Sequence, residues 1–248
     1  MNEPQKVQWT RLSAEAVAIV ASILFAFAID AWWDEEQERE NVRDLLVGLL
    51  DDLQQGKEYV AWRQAVSIAR EKSIVELLEA AFDQDSKLSE ASIDRLLSDM
   101  VWYFDDVPIA EGGINSLIFS GTLGSIENEK LRREIADWPR AIIYIRNQLK
   151  EDYDVYIDVW MPFMRDYGYL PQIYKTITHV PGHSELPYSG LLVQPKETMN
   201  HSSLLGDKRF HNILVHLWDV QNNLQGTYDD AESRLNLSIR LIEEELAQ

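Results

Sequence analysis

The chain has 248 residues, a formal charge of −19, no cysteine, eight tryptophans and ten tyrosines. Without cysteine there are no disulfides, no thiol catalysis and no thiolate metal sites. The acidic excess disfavours nucleic acid and anionic headgroups as partners.

The first predicted element covers residues 12–33, LSAEAVAIVASILFAFAIDAWW. Between Glu15 and Asp30 lie fourteen residues without formal charge, too few alone for a bilayer, which takes about 20. The full 22 residues reach about 33 Å as a helix, which suffices. Glu15 and Asp30 then fall about one turn inside each end, where charge is less costly. Trp9, Trp32 and Trp33 stand where interfacial aromatics are preferred. The segment therefore predicts a single spanning helix with the lipid bilayer as its partner. Lys6 and Arg11 precede it and DEEQERE follows, so the positive-inside rule makes residues 1–11 a cytoplasmic tail and exports 34–248. Two other readings compete: a signal peptide cleaved after Ala28, from Ala26-Phe27-Ala28, and a buried core helix of a soluble protein. Ala14, Ala18, Ser22 and Ala26 form a small-residue ridge suited to self-association or to a membrane-protein partner.

Helical periodicity continues past the anchor. Val42, Leu45, Leu46, Leu49, Leu50 and Leu53 form an apolar stripe that resumes through Val60, Val66, Ile74, Leu77, Leu78 and Phe82, with Gly56 as an expected bend. Ser89 is an N-cap for a helix over 90–104, which Asp105-Asp106-Val107-Pro108 ends. A short helical stretch is expected at 114–120, then Gly121. A longer helix starts near 125–128 and runs to about 160, bent rather than broken by Pro139. Residues 162–206 hold five of the eight prolines, four of the eleven glycines and three of the five histidines, and predict an irregular excursion with room for a hairpin. From Asp207 the helical pattern returns through Phe210, Leu214, Leu217, Leu224, Leu235 and Ile242. Glu243-Glu244-Glu245 oppose the helix dipole and predict a frayed end.

No catalytic, cofactor-binding or metal-ligating residue emerges. His211 and His216 lie about 140° apart on a helix and cannot share a metal. His179 and His183 flank Pro181-Gly182 without a paired ligand. Ser120-Gly121-Thr122 lacks the G-x-S-x-G elbow, and small residues at Ser116, Ser120 and Gly121 are expected to permit close helix approach. The acidic pairs Asp51-Asp52, Asp105-Asp106 and Asp229-Asp230 read as solvated faces, since adjacent helical side chains diverge by about 100°.

Two signatures resemble an uncharacterised bacterial family of single-pass membrane proteins. Glu15, Asp30, Trp32, Leu46, Leu49, Asp52 and Leu53 match its anchor and the leucine-rich helix that follows. Leu117, Ser120, Gly121, Leu123, Ile126, Asn128 and Leu131 match a second motif, whereas Leu45 and Trp138-Pro139 stand where the family has aromatics. The resemblance covers residues 12–135 and implies an inner-membrane anchor with a helical domain outside, and no catalytic residue. The expectation is an all-α protein whose anchor continues into a bundle of four or five helices. Its expected role is that of a non-enzymatic periplasmic scaffold or binding module needing no cofactor. The alternative is an anchored hydrolase with a site under 162–206, using His179 or His183.

Overall fold

The computed structural model describes residues 9–83, 88–101, 109–167, 170–177 and 198–247, with only the backbone path for 9–14. About 90% of the described residues are helical and none forms a strand, so the protein is all-α. Helix α1 is continuous from Trp9 to Phe82. No proline interrupts it, and Gly56, the expected bend, lies inside it between Leu53 and Val60, which are both fully buried. Packing on both sides holds the glycine in the helix.

Two further long helices complete the core: α4 (Glu129–Val155) and α8 (Lys208–Leu246). Five shorter α-helices connect them among the described residues: α2 (Glu90–Ser98), α3 (Glu111–Phe119), α5 (Met161–Tyr167), α6 (Leu170–Thr176) and α7 (His201–Leu205). Helix α8 runs antiparallel to α1: Gln64 meets Asp229, Glu71 meets Trp218 and Gln225, and the Phe82 ring lies on His211. It also runs antiparallel to α4, pairing Glu134 with Arg234, Trp138 with Ser238 and Asp152 with Gln221. Thus α1 and α4 point the same way and α8 returns along both.

The apolar stripe explains the packing. Val42, Leu46, Leu49 and Leu53 of α1 are buried with Leu131, Ile135, Trp138 and Leu149 of α4 and Leu224, Leu235 and Ile242 of α8. Helix α3 fits against α1 because Gly113 has no side chain. A Cβ there would stand 3.0 Å from Asp52 Oδ2 and 3.2 Å from Leu49 Cδ1. From its other side Glu111 pairs with Arg146 at 2.6 Å, and that guanidinium holds the Glu111 carboxyl below its ordinary range. Gly121 serves a different purpose from the close approach expected of it. Its φ is +79° and nothing lies near its would-be Cβ, so it permits a left-handed turn. Ser120 Oγ accepts the Thr122 amide and braces that turn.

The first 27 residues with described side chains, 15–41, are all exposed; burial begins at Val42. Phe25 is 69% exposed and Trp33 63%. This apolar stretch is therefore not a core helix of the bundle.

Prolines shift the irregular segment from where it was expected. Pro162 and Pro171 do not start a loop: Pro162 lies inside the continuous helical run that passes from α4 through a π-turn into α5, and Pro171 lies in the first turn of α6, where a missing N–H costs little. Before Pro162, residues Tyr156–Trp160 form a π-helical turn in which the Met161 amide donates to Tyr156 O. The wider turn accommodates the proline ring and its lost hydrogen bond. Residues 178–197, with His179 and His183, lie outside the described residues, as do Asp105 and Asp106.

The end of α8 remains helical to Leu246 instead of fraying. Glu245 presents its carboxylate to the amides of Glu127 (2.6 Å) and Asn128 (3.0 Å) at the start of α4. A negative charge there meets the positive end of another helix dipole, which offsets the unfavourable end of its own. Asn128 caps α4 by accepting the amides of Lys130 and Leu131. Replacing it, Asn128→Ala, should lower stability by about 1 kcal/mol, whereas Asn128→Asp should retain most of it. Denaturant midpoints of the two variants check this.

Candidate functional site

Between Val60 and Ile74 the core-facing positions of α1 are polar: Arg63, Ser67, Arg70 and Ser73 are all buried. Three of these build a joint at mid-bundle. Arg70 Nη1 donates to both carboxylate oxygens of Asp152 in α4, at 3.0 and 3.2 Å. Gln221 of α8 donates to Asp152 Oδ1 at 2.8 Å and accepts from Ser67 Oγ at 3.0 Å. Arg63 Nε donates to the Tyr228 hydroxyl at 3.3 Å. One residue from each long helix thus converges on a single carboxylate. The enclosed cavity is about 10 Å³, room for at most one water. Ser67 is committed to Gln221, and no base stands against it. The cluster is chemically a structural joint, and an ion pair buried this deeply holds only while both partners remain.

The π-helical turn follows this joint directly. Tyr156, at its start, has its hydroxyl pKa pushed up to about 12, first by burial and then by the adjacent Tyr174 hydroxyl. Burial likewise raises Tyr228, with Arg63 pulling the other way.

A second polar cluster fastens α2, α6 and α7 at the end of the bundle remote from residues 15–41. His201 Nε2 lies 2.8 Å from Asp94 Oδ1, Gln172 donates to Asp94 Oδ2 at 2.7 Å, and the Met199 amide donates to Gln172 Oε1 at 3.1 Å. Both His201 and Asp94 are buried. Glu90 Oε1 stands 3.9 Å from His201 Nδ1, and no hydroxyl hydrogen-bonds that nitrogen. The pair resembles the orienting half of a catalytic dyad but has no nucleophile among the described residues.

Among the described residues the other two histidines do not converge. His211 Nε2 meets Leu205 O at 2.6 Å, and His216 is exposed. No group of three or more His, Cys, Asp or Glu among the described residues could hold a metal. Of the acidic pairs, Asp51 accepts from Gln55 and Asp229 from Gln64, each a surface contact. Asp94 and Asp152 are the carboxylates that the sequence reading passed over. Their signal was a charge set on an apolar helical face: Asp94 beside Ile93, Leu96 and Leu97, and Asp152 in step with Ile145 and Leu149.

A groove of about 620 Å³ lies between α4 and α8. Its floor is Ala141, Ile145 and Ala231, its walls Tyr144 and Leu237, and its charged rim Glu134, Arg140, Asp230 and Arg234. Ala141 and Ala231 are the smallest side chains of its lining, one from each helix. Ile143 and Tyr144 beside it are exposed.

No protein-family model, curated protein or solved structure matches this chain. Several residues from Leu117 to Leu131 have plain structural roles. Leu117, Ile126 and Leu131 are buried, Ser120-Gly121 makes the turn, and Asn128 caps α4.

Two outcomes follow. Asp152→Ala strands Arg70 and should cost about 3–5 kcal/mol, whereas the double change Arg70→Met with Asp152→Leu should cost much less; a double-mutant cycle in denaturant checks it. The raised tyrosines favour the folded state fully below the unfolded value near 10, and this contribution fades as pH rises from about 10 to about 12. Tyr156→Phe should flatten that decline, as read from melts across the same range.

Proposed function

We propose that this protein is a single-pass, membrane-tethered helical scaffold whose bundle stands outside the cytoplasm and binds a partner through the α4–α8 groove. One observation carries the reading: the apolar run lies wholly exposed on the leading part of the helix that goes on to organise the core. An exposed apolar surface of that length requires a bilayer or a protein around it. Residues 34–41 then form a spacer of about 12 Å between the bilayer surface and the bundle. The basic residues Lys6 and Arg11 before the segment and the acidic run after it support an outward bundle. The family resemblance supports a bacterial inner membrane with the bundle in the periplasm. Ala18, Ser22 and Ala26 are exposed, and Ser22 Oγ donates to Ala18 O at 2.8 Å, so this part of the ridge stays narrow and self-satisfied. That suits close approach of a second membrane helix.

Wild-type protein should stay in the membrane pellet through alkaline carbonate extraction and keep Met1 on N-terminal sequencing. Ile23→Arg, at the centre of the span, adds about 2.5–3.5 kcal/mol to insertion and should move the protein out of the pellet, while Val47→Arg on the bundle should not. Release of the wild type by carbonate, or a mature start at Ile29, would overturn the tether.

A further inference from the structure

The groove between α4 and α8 has the charge layout of a self-complementary surface. Cross-helix contacts fix its levels: Glu134 lies level with Arg234 and Trp138 with Ser238. By that register Ala141 faces Ala231, and Arg140 on the α4 wall stands within a few ångströms of the height of Asp230 on the α8 wall. Arg140 and Asp230 are both exposed, and the Arg140 contact with Asp137 is a surface pair of little energetic weight. Glu134 and Arg234 close on each other at 2.6 Å, so they are satisfied within the chain.

We infer that the groove receives the same groove of a second copy, in a parallel two-fold pair whose axis runs along the bundles. The parallel orientation rests on the membrane-tether reading, since two chains anchored through one bilayer stand side by side with the same end up. A two-fold axis along the bundles lays α4 of one copy opposite α8 of the other at equal height. Arg140 of each copy then faces the acidic wall that carries Asp230 in its neighbour, twice over. The apolar floors and the exposed Tyr144 rings close between them.

Charge explains why this face is the one used. The chain carries −19, so two copies repel over most of their surface. The groove balances two acidic against two basic residues, Glu134 and Asp230 against Arg140 and Arg234. By contrast, the hollow at the C-terminal end of α8 sets Glu36, Glu40, Glu127 and Glu245 against Arg39 and Arg43. Helix α1 contributes nothing to the groove and packs on the opposite side of α4 and α8, through Arg70 and Ser67. A groove pair therefore holds the two α1 helices apart and leaves the Ala18–Ser22–Ala26 ridge out of its interface.

The absence of cysteine makes the test clean. Two tagged full-length chains, one R140C and one D230C, are co-expressed and oxidised in native membranes. A mixed disulfide dimer should form at least tenfold above either chain alone and above a V47C pair. Adding A141W, which fills the groove, should remove the mixed dimer while leaving the thermal melt in place. In co-purification of two tagged chains, R140E should weaken recovery and R140E with D230R should restore it. The inference is overturned if the two cysteines fail to join, whether maleimide labels them freely (an open groove) or not at all (another partner in it). It is overturned equally if the mixed dimer survives A141W. Carbonate extraction of the same membranes reports separately on the tether.

Discussion

Everything in this molecule depends on α1 remaining one helix across a change of surroundings. Its leading stretch carries the uncharged apolar run from Ala16 to Ile29, wholly exposed. Its second half supplies one side of the core and the docking line for α8. A break between Trp33 and Val42 would leave both halves intact and uncouple them. The sequence avoids one by placing no proline after Pro4 until Pro108 and by flanking Gly56 with buried Leu53 and Val60. Hydrogen bonds between successive turns transmit the direction of the segment to the bundle, so the orientation of the domain is set by a backbone rather than by a linker.

Apolar packing alone leaves three long helices free to slide by a turn, because leucine against leucine is nearly as good one step along. The joint of Arg70, Asp152, Gln221 and Ser67 removes that freedom. Its hydrogen bonds are directional, and a slip of one turn would leave a buried guanidinium facing aliphatic side chains. Such a cluster contributes little net stability and much discrimination between registers. The π-helical turn just after Asp152 continues the same logic. It lets the chain pass Pro162 and still deliver Trp160 and Phe163 to the aromatic group around Phe210, with ring centroids 6.3 and 5.9 Å from it.

Much of the fold was legible because the strongest signals were local. The stripe from Val42 to Leu53, the Ser89 cap and the helix end just before Gly121 each depend on residues within a few positions, and each is where the pattern puts it. What escaped depended on partners far along the chain. Glu245 looks unfavourable on its own helix and becomes favourable only because α4 begins beside it. Pro162 and Pro171 look like loop markers until their helical positions are known. The joint was visible only as a defect, four polar residues where the stripe should have run. Reading it as a site needed Asp152 and Gln221, which are 82 and 69 residues from their partners Arg70 and Asp152. The groove had no local signature, since an alanine facing an alanine is a relation between helices.

The close of α8 beside Glu36, Arg39 and Val42 has a consequence for how such a chain can change. That end of the bundle is built from both flanks of the domain, α1 at its first buried residues and α8 at its close. At the other end, among the described residues, the short helices α2 and α5 to α7 gather around the end of α1 and the start of α8. Segments inserted at that end lengthen or redecorate it without disturbing the footing, whereas anything appended after α8 emerges against the acidic collar at the base. The base is thus set by the meeting of α1 and α8, while the far end is tied together by the contacts of Asp94 with His201 and Gln172.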